Sequence, residues 1–395
     1  MVLSAPRTAL WVVPVGEFGG VARHVLDVCS AAAQGSMPGW RLVLLAPPGP
    51  LVDRVRAAGG AVVDGPFGVA AGLRPSLATL RHTVAALRPA VVHSHLSWAD
   101  IACAMAFPRR GVRLVSTEHG IAADDLVYHG TPWRAMLMGD VHRLRLARAD
   151  ALIAVSEATR SAMLRKWRPR VPVRVIRNGI DRYAGTPLPS PGPSPSPGPS
   201  PSPSGPGRAP GLRIASIARL APEKRIDRLV DAFALVHREH PEATLTLAGD
   251  GPLEGALRAQ VSRLGLDAAV RLPGHVDAGE LLRHTDVVAQ LSVWENCSYT
   301  LLDALVAGVG VVATAVGGNP EILTADSLVP GDAPERDPAA VAAAVVWQGT
   351  RLDLRPTLDP TWPTVAQMCA AVADVYAAVC TDRTALGDPD PGRST

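Results

Sequence analysis

A chain of 395 residues that is 47% hydrophobic and 19% charged is long enough for two or three ordinary domains and is globular in character. Its longest apolar runs, such as Leu42 to Ala46, fall far short of the roughly 20 residues a membrane-spanning helix needs. The net charge of +3 is unevenly spread: residues 1–185 hold 23 basic against 12 acidic side chains (+11), and the remainder holds 16 against 24 (−8). The first half is therefore expected to meet something anionic. It carries no interleaved aromatics and no nucleic-acid module, so an anionic membrane surface or an acidic acceptor is expected rather than nucleic acid. Five scattered cysteines (Cys29, Cys103, Cys297, Cys369, Cys380) without a C-x-x-C pair give neither a zinc site nor a disulfide framework, and fit a reducing compartment. Cys297 stands two residues from Glu295, but no base lies beside it in sequence and it reads as a packing residue.

The N-terminal apolar run enters a glycine turn, so it reads as a first strand, Ala9 to Val15, rather than a signal peptide. A cytoplasmic protein, peripheral at the inner face of the membrane, is the expected location. Gly16, Glu17, Phe18, Gly19 and Gly20 then lead into a helix from about Val21 to Ala33. Strand, glycine turn and helix form the phosphate-binding geometry of doubly wound folds, although the same residues also make an ordinary tight turn. Further strands are predicted at Trp40 to Ala46, Ala90 to Val92, Arg113 to Ser116, Ala151 to Val155 and Val173 to Ile176, with helical patterns between them. This alternation implies a parallel, doubly wound sheet. His93 and His95 are placed just past one strand end and His119 past the next, as loop residues or as site residues. Arg143, Arg145, Arg148, Arg160, Arg165, Lys166, Arg168, Arg170 and Arg174 read either as a solvated helix face or as a surface for anionic lipid or acceptor.

From Thr186 to Pro210 a Pro/Ser/Gly tract favours extended polyproline II and reads as a semi-rigid spacer. The α/β pattern restarts at Leu212 to Ile217, followed by Arg219 and Lys224 flanking a proline at a helix start, where two cations hold a diphosphate or merely decorate the surface. Thr244 to Ala248 reads as a strand ending in the GDGP turn, Gly249 to Pro252. The run Val287 to Leu291 is a buried strand leading to Glu295. Asp303 is expected near the start of the next helix, where it suits the helix dipole. Gly308 ends that helix, Val309 to Ala315 is another buried strand, and Gly317, Gly318, Asn319 and Pro320 turn into Glu321 with amides exposed to an anion. Residues 324–360 are irregular, and Trp362 to Val379 is a terminal helix.

These motifs, in this order, resemble those of the retaining nucleotide-sugar glycosyltransferases of family 4. The resemblance rests on R-L-x-P-E-K (Arg219 to Lys224), GDGP, and E-x7-E followed by G-G-x-P-E, here Glu295, Asp303 and Gly317 to Glu321. It implies the GT-B fold, two Rossmann-like doubly wound domains facing across a cleft. The implied division is 1–185 on the acceptor side, 186–210 as linker, 211–361 for the nucleotide sugar, 362–381 as a helix returning to the first domain and 382–395 as a polar tail. The resemblance further implies that Arg219 and Lys224 grip the donor diphosphate, Glu295 the sugar hydroxyls and Asp303 the ribose. Gly19, Gly20 and the Gly317, Gly318, Asn319 turn would supply amides, and His119 would sit near the transferred sugar, with His95 lining the same cleft. No metal and no cofactor are expected beyond the nucleoside-diphosphate sugar, and the one D-x-D, Asp388 to Asp390, reads as coincidence. The acceptor is expected to be lipid-linked or anionic. Two departures stand out: Asp303 is one methylene shorter than the usual Glu, and Arg225 stands where the family commonly has Gly. Both features leave room for a non-catalytic nucleotide-binding scaffold on the same fold. A nucleotide-sugar epimerase is a second alternative, against which the Glu295 to Glu321 stretch speaks, and the missing G-x-G-x-x-G argues against a nicotinamide dehydrogenase.

Overall fold

In the first strand, β1 (Arg7–Val12), Ala9 and Trp11 enter one core and Leu10 and Val12 another, and all four are fully buried. A strand apolar on both faces must be covered on both faces, which is the condition of a central parallel strand. The computed structural model describes residues 5–107, 112–121, 132–181 and 211–381. The Pro/Ser tract of 186–210, the tail of 382–395 and its Asp388 and Asp390 lie outside the described residues.

The chain continues through α1 (Gly20–Ala33), β2 (Trp40–Ala46), α2 (Pro50–Ala57), β3 (Ala61–Asp64), α3 (Leu73–Leu87) and β4 (Val91–His95). Next come α4 (Ser97–Ala106), β5 (Arg113–Glu118), α5 (Pro132–Leu146), β6 (Ala151–Ala154), α6 (Glu157–Lys166) and β7 (Val173–Val175). The seven strands form one parallel sheet in the order β3-β2-β1-β4-β5-β6-β7. Beyond the tract, β8 (Arg213–Ile217), a 3-10 turn (Pro222–Lys224), α7 (Ile226–Glu239), β9 (Thr244–Ala248), α8 (Glu254–Arg263), β10 (Val270–Gly274) and α9 (Ala278–Arg283) follow. Then come β11 (Val287–Gln290), α10 (Tyr299–Val306), β12 (Gly310–Thr314), α11 (Asn319–Ile322), β13 (Leu328–Val329), α12 (Ala333–Arg336) and α13 (Pro338–Thr350). This second parallel sheet has six strands in the order β10-β9-β8-β11-β12-β13.

The described residues fall into two compact units, one running up to Asp181 and resuming at Pro363, the other lying between those points. The final helix, α14 (Val365–Thr381), places Met368, Val372, Val375 and Tyr376 in the same core as Trp11, Val25 and Val28. The returning chain is locked where it meets Gly179 to Asp181. Ile180 N–H donates to Pro363 O at 3.0 Å and Val365 N–H to Asp181 Oδ1 at 3.0 Å, and a Cβ on Gly179 would strike the Thr364 carbonyl.

Several sequence-based expectations need correction. His93 and His95 do not follow β4 but lie within it, His95 as its last residue, both fully buried. Strands β3, β10 and β13 were not predicted. The stretch 324–360, expected to be irregular, contains β13 and the thirteen-residue helix α13. Arg145 does not belong to a solvated face: its side chain is 1% exposed, bonded through Nη1 to Asp100 and through Nη2 to Glu118 at 2.5 Å. Asp100 also accepts from the hydroxyls of Ser94 and Ser116, so α4, α5 and the ends of β4 and β5 are tied to one guanidinium.

Replacing Arg145 by Met would strand two buried carboxylates, and the expected loss is about 3–5 kcal/mol of stability in urea denaturation. The exposed Arg165→Met is expected to shift stability by less than about 0.5 kcal/mol.

Candidate active site

In an open parallel sheet, ligands bind beyond the carboxyl ends of the strands, where the strand order reverses direction. In the first sheet that point lies between β1 and β4, paired with Ala9 opposite Val91. In the second it lies between β8 and β11, paired with Val287 opposite Ile214. The ends of these four strands and the loops that leave them hold Gly16 to Gly20, His95, the Arg219 to Lys224 turn and Glu295.

In the second unit, Glu295 gathers the edge. Its Oε1 accepts from Lys224 Nζ, from Gln290 Nε2 at 2.8 Å and from Ser292 Oγ at 2.6 Å. Its carbonyl accepts from Gly318 N–H at 2.9 Å, and a Cβ on Gly317, at φ +54°, would collide with that same carbonyl. Only glycine combines this φ with so close an approach. Val293 N–H donates to Glu223 O at 2.8 Å, so the turn carrying Lys224 is fastened to the loop carrying Glu295. The structure thus brings Lys224, Glu295, Gly317 and Gly318 together. Arg219 is the outermost member, 65% exposed and paired with Glu223.

Two expectations change here. Asp303 is not in a first helical turn: α10 begins at Tyr299, capped by the Ser298 hydroxyl, and Asp303 is its fifth residue. A dipole role at that position therefore falls away, because the effect fades beyond the first turn. The helix is nonetheless wired to the site, since Ser298 Oγ donates to Gln290 Oε1 at 3.0 Å and Thr300 Oγ1 to Ile217 O at 3.2 Å. Nor is the glycine turn a row of open donors. The amides of Gly318 and Asn319 are engaged by Glu295 O and Val316 O, and the buried Asn319 side chain donates through Nδ2 to Thr314 O at 3.0 Å.

Arg225 occupies the left-handed region, φ +50°, where glycine is favoured. Its guanidinium donates to Gly331 O at 2.7 Å and pairs with Glu335 at 2.6 Å, contacts no glycine could make. The departure at this position is thus a local trade of backbone strain for side-chain bonds.

In the first unit, Gly19 and Gly20 are exposed at the start of α1, where no side chain caps the helix and a Cβ on either would meet open space. Beside them the histidines form a packed group. Trp11 Nε1–H donates to Tyr376 OH at 2.7 Å, that hydroxyl lies 2.6 Å from His93 Nδ1, and His93 Nε2 lies 2.7 Å from Thr117 Oγ1. This chain uses both nitrogens of His93 and takes it out of any site. His95 Nδ1 lies 2.9 Å from His119 Nε2, and His24 Nδ1 lies 3.1 Å from Asn178 Oδ1. Burial lowers the His24 pKa to about 4 and holds His93, His95 and His119 well below the usual range, with the neighbouring rings adding to the effect on the last three. All four rings are neutral at pH 7. Between His95 and α4, Leu96 adopts φ +71°, ψ 152°, a conformation almost reserved for glycine. Strain of this kind, worth about 1–3 kcal/mol, concentrates at functional sites.

Sequence reading missed His24, Gln290 and Ser292. Gln290 and Ser292 leave a trace, polar residues closing an otherwise apolar strand. His24 leaves none, because its partners arrive from other elements.

Comparison with known proteins identifies the family. Residues 18–182 match the family model described as Glycosyltransferase Family 4, and residues 211–348 match the one described as Glycosyl transferases group 1. The chain belongs to glycosyltransferase family 4, a class of nucleotide-sugar-dependent transferases. It is 29% identical over 309 residues to a glycogen synthase of Mycobacterium tuberculosis, covering 74% of this chain and 69% of that one. It is 31% identical over 255 residues to an alpha-maltose-1-phosphate synthase of Mycolicibacterium smegmatis, covering 59% and 61%. Among solved structures, Anabaena Alr3699/HepE in complex with UDP-glucose superposes with a TM-score of 0.67 at 18% identity, over 96% of this chain and 99% of that one. The two sheets are those of the GT-B fold. Among the described residues, no helix is long and apolar enough to cross a membrane.

A histidine whose pKa is lowered on folding contributes stability that is present above its unfolded value, 6.5, and is lost as pH falls toward its folded value, about 4. By pH 5 the loss from His24 is expected to reach about 2 kcal/mol. Denaturation at pH 7 and pH 5 checks this: in His24→Gln, which cannot titrate, the difference should shrink by about that amount.

Proposed function

We propose that this chain transfers a glycosyl group from a nucleoside-diphosphate sugar to an acceptor hydroxyl, with retention of anomeric configuration and without a metal ion. The observation that carries the reading is the joining of Lys224 to Glu295 at the edge of the second sheet, with Gly317 giving up its side chain so that the loops can close. As the glycosidic bond breaks, negative charge grows on the diphosphate and positive character on the sugar. Lys224 and Arg219 are the cations that meet the first; removing one such preorganised contact typically costs about 3 kcal/mol, or 10² to 10³ in rate. Glu295, with Oε1 held by three donors, presents Oε2 to the sugar hydroxyls. Asp303 is assigned to the ribose, where its carboxylate accepts from both hydroxyls despite the shorter side chain. In the first unit, Gly19 and Gly20 supply amide donors and His119 a neutral ring to donor or acceptor.

The alternative of a non-catalytic scaffold loses one of its two supports, since Arg225 is explained by its own bonds to Gly331 and Glu335. The acceptor is assigned to an anionic or lipid-linked class. Arg143, Arg165 and Arg168 are exposed in the first unit, as are Leu144 (72%) and Leu164 (41%), and Arg143 Nη2 donates to Lys166 O at 3.3 Å, which brings the ends of α5 and α6 together. Exposed leucines among arginines suit the interface of an anionic bilayer.

A thermal-shift series with UDP, GDP, ADP and NAD tests the donor site. One nucleoside diphosphate at ~100 times its dissociation constant is expected to stabilise the protein by about 2.7 kcal/mol, with the shift abolished in the Arg219→Ala/Lys224→Ala double variant. No shift with any nucleotide would overturn the donor site, and a shift without sugar transfer would favour the scaffold. Separately, flotation with phosphatidylserine vesicles is expected to carry the protein at low salt and release it at high salt; failure at low salt removes the membrane assignment.

A further inference from the structure

His24, His95 and His119 come from three elements, α1, the end of β4 and the residue after β5, and one nitrogen from each lies within 4.8 Å of the other two. The closest pair, His95 Nδ1 and His119 Nε2, is 2.9 Å apart. A metal with bonds of 2.0–2.1 Å to imidazole holds adjacent nitrogens about 3–3.4 Å apart. That pair therefore stands near ligand spacing already, and His24 has to close by roughly 1.5 Å to complete the set.

A further observation points to a ligand. His24 donates Nδ1–H to the buried Asn178 Oδ1, which fixes the tautomer and leaves Nε2 as a lone pair. An oxygen acceptor behind a ring nitrogen is the usual outer support of a metal-bound histidine. His119 is only partly buried, which gives an ion a way in and leaves an outer coordination position for water. Three neutral imidazoles with one open position suit Zn²⁺ and its neighbours Co²⁺, Ni²⁺ and Cu²⁺, and not Mg²⁺ or Ca²⁺, which take oxygen ligands.

We propose that His24, His95 and His119 form a reversible binding site for a divalent transition-metal ion of the Zn²⁺ class, and that filling it withdraws the His119 nitrogen from any other hydrogen bond. The hydrogen now shared between His95 and His119 moves to the other nitrogen of the ring that donates it, so coordination needs no net loss of a proton. The ion plays no part in glycosyl transfer. Its effect on transfer, an inhibition, rests on the assignment of His119 to donor or acceptor made above.

The test is a Co²⁺ titration of the full, tag-free chain, read by ligand-field absorption, followed by displacement with Zn²⁺. One ion per chain is expected, with affinity reduced tenfold or more in His24→Asn and in His119→Asn, about 10–100-fold in Asn178→Ala, and unchanged in His284→Ala, an exposed histidine of the other unit. His119 is the most exposed of the three, so its variant remains informative if His24→Asn unfolds. Absence of saturable Co²⁺ absorption, or binding that survives both histidine variants, overturns the site. Binding with the three-histidine signature but with transfer unchanged under saturating Zn²⁺ supports the ion site and instead removes His119 from the catalytic reading.

Discussion

The carboxyl edge of the second sheet is held by one residue. Glu295 accepts three hydrogen bonds on a single carboxylate oxygen and one more on its carbonyl, and these reach the loops after β8, β11 and β12. A carboxylate so nearly withdrawn from water, 13% exposed, is tolerated only when its acceptor capacity is met. The neighbouring sequence follows from that demand. Gln290 and Ser292 are polar where a buried strand would otherwise end in apolar residues, Gly317 lacks a side chain where one would hit the Glu295 carbonyl, and Ser298 both caps α10 and steadies Gln290. Lys224, Gln290, Ser292, Gly317 and Gly318 are thus arranged around one largely buried acid.

The first unit is organised by a different device, a run of neutral hydrogen bonds through its core. Trp11, Tyr376, His93 and Thr117 form a continuous chain of hydrogen bonds that starts at the indole, which can only donate. Burial that raises the tyrosine pKa and lowers the histidine pKa keeps both uncharged. Next to this settled network, His95 and His119 share a single hydrogen bond, and Leu96 holds a strained backbone beside them. The contrast separates histidines that serve the core from those available for chemistry.

Much of this was legible in the sequence, and the failures have physical causes. Trp40 to Ala46 and Thr244 to Ala248 have the bounds read from their apolar runs, because central strands are covered on both faces. Edge strands escape that signal: Ala61 to Asp64 has no fully buried residue and Val270 to Gly274 has only one. Helix α13 was hidden because alanine and valine on all sides give no helical period. Lys224 and Glu295, 71 residues apart, could be joined only through the family motif, and Asp303 was misplaced because the helix begins at Tyr299, before the periodic leucines. His24 was out of reach, since its significance depends on β4, β5 and Asn178 arriving around one helix face.

The return of α14 to the first unit has a consequence for biosynthesis. The core that contains Trp11 and Val25 is completed by Met368, Val372 and Tyr376, so the first sheet leaves the ribosome with that face open. Segments normally fold in the order they emerge. Here the whole second sheet is translated before Tyr376 is available to Trp11, and the nascent chain carries an uncovered apolar surface through that interval. Chaperone engagement during translation should therefore concentrate on the oldest part of the polypeptide and end only when its last helix has been made.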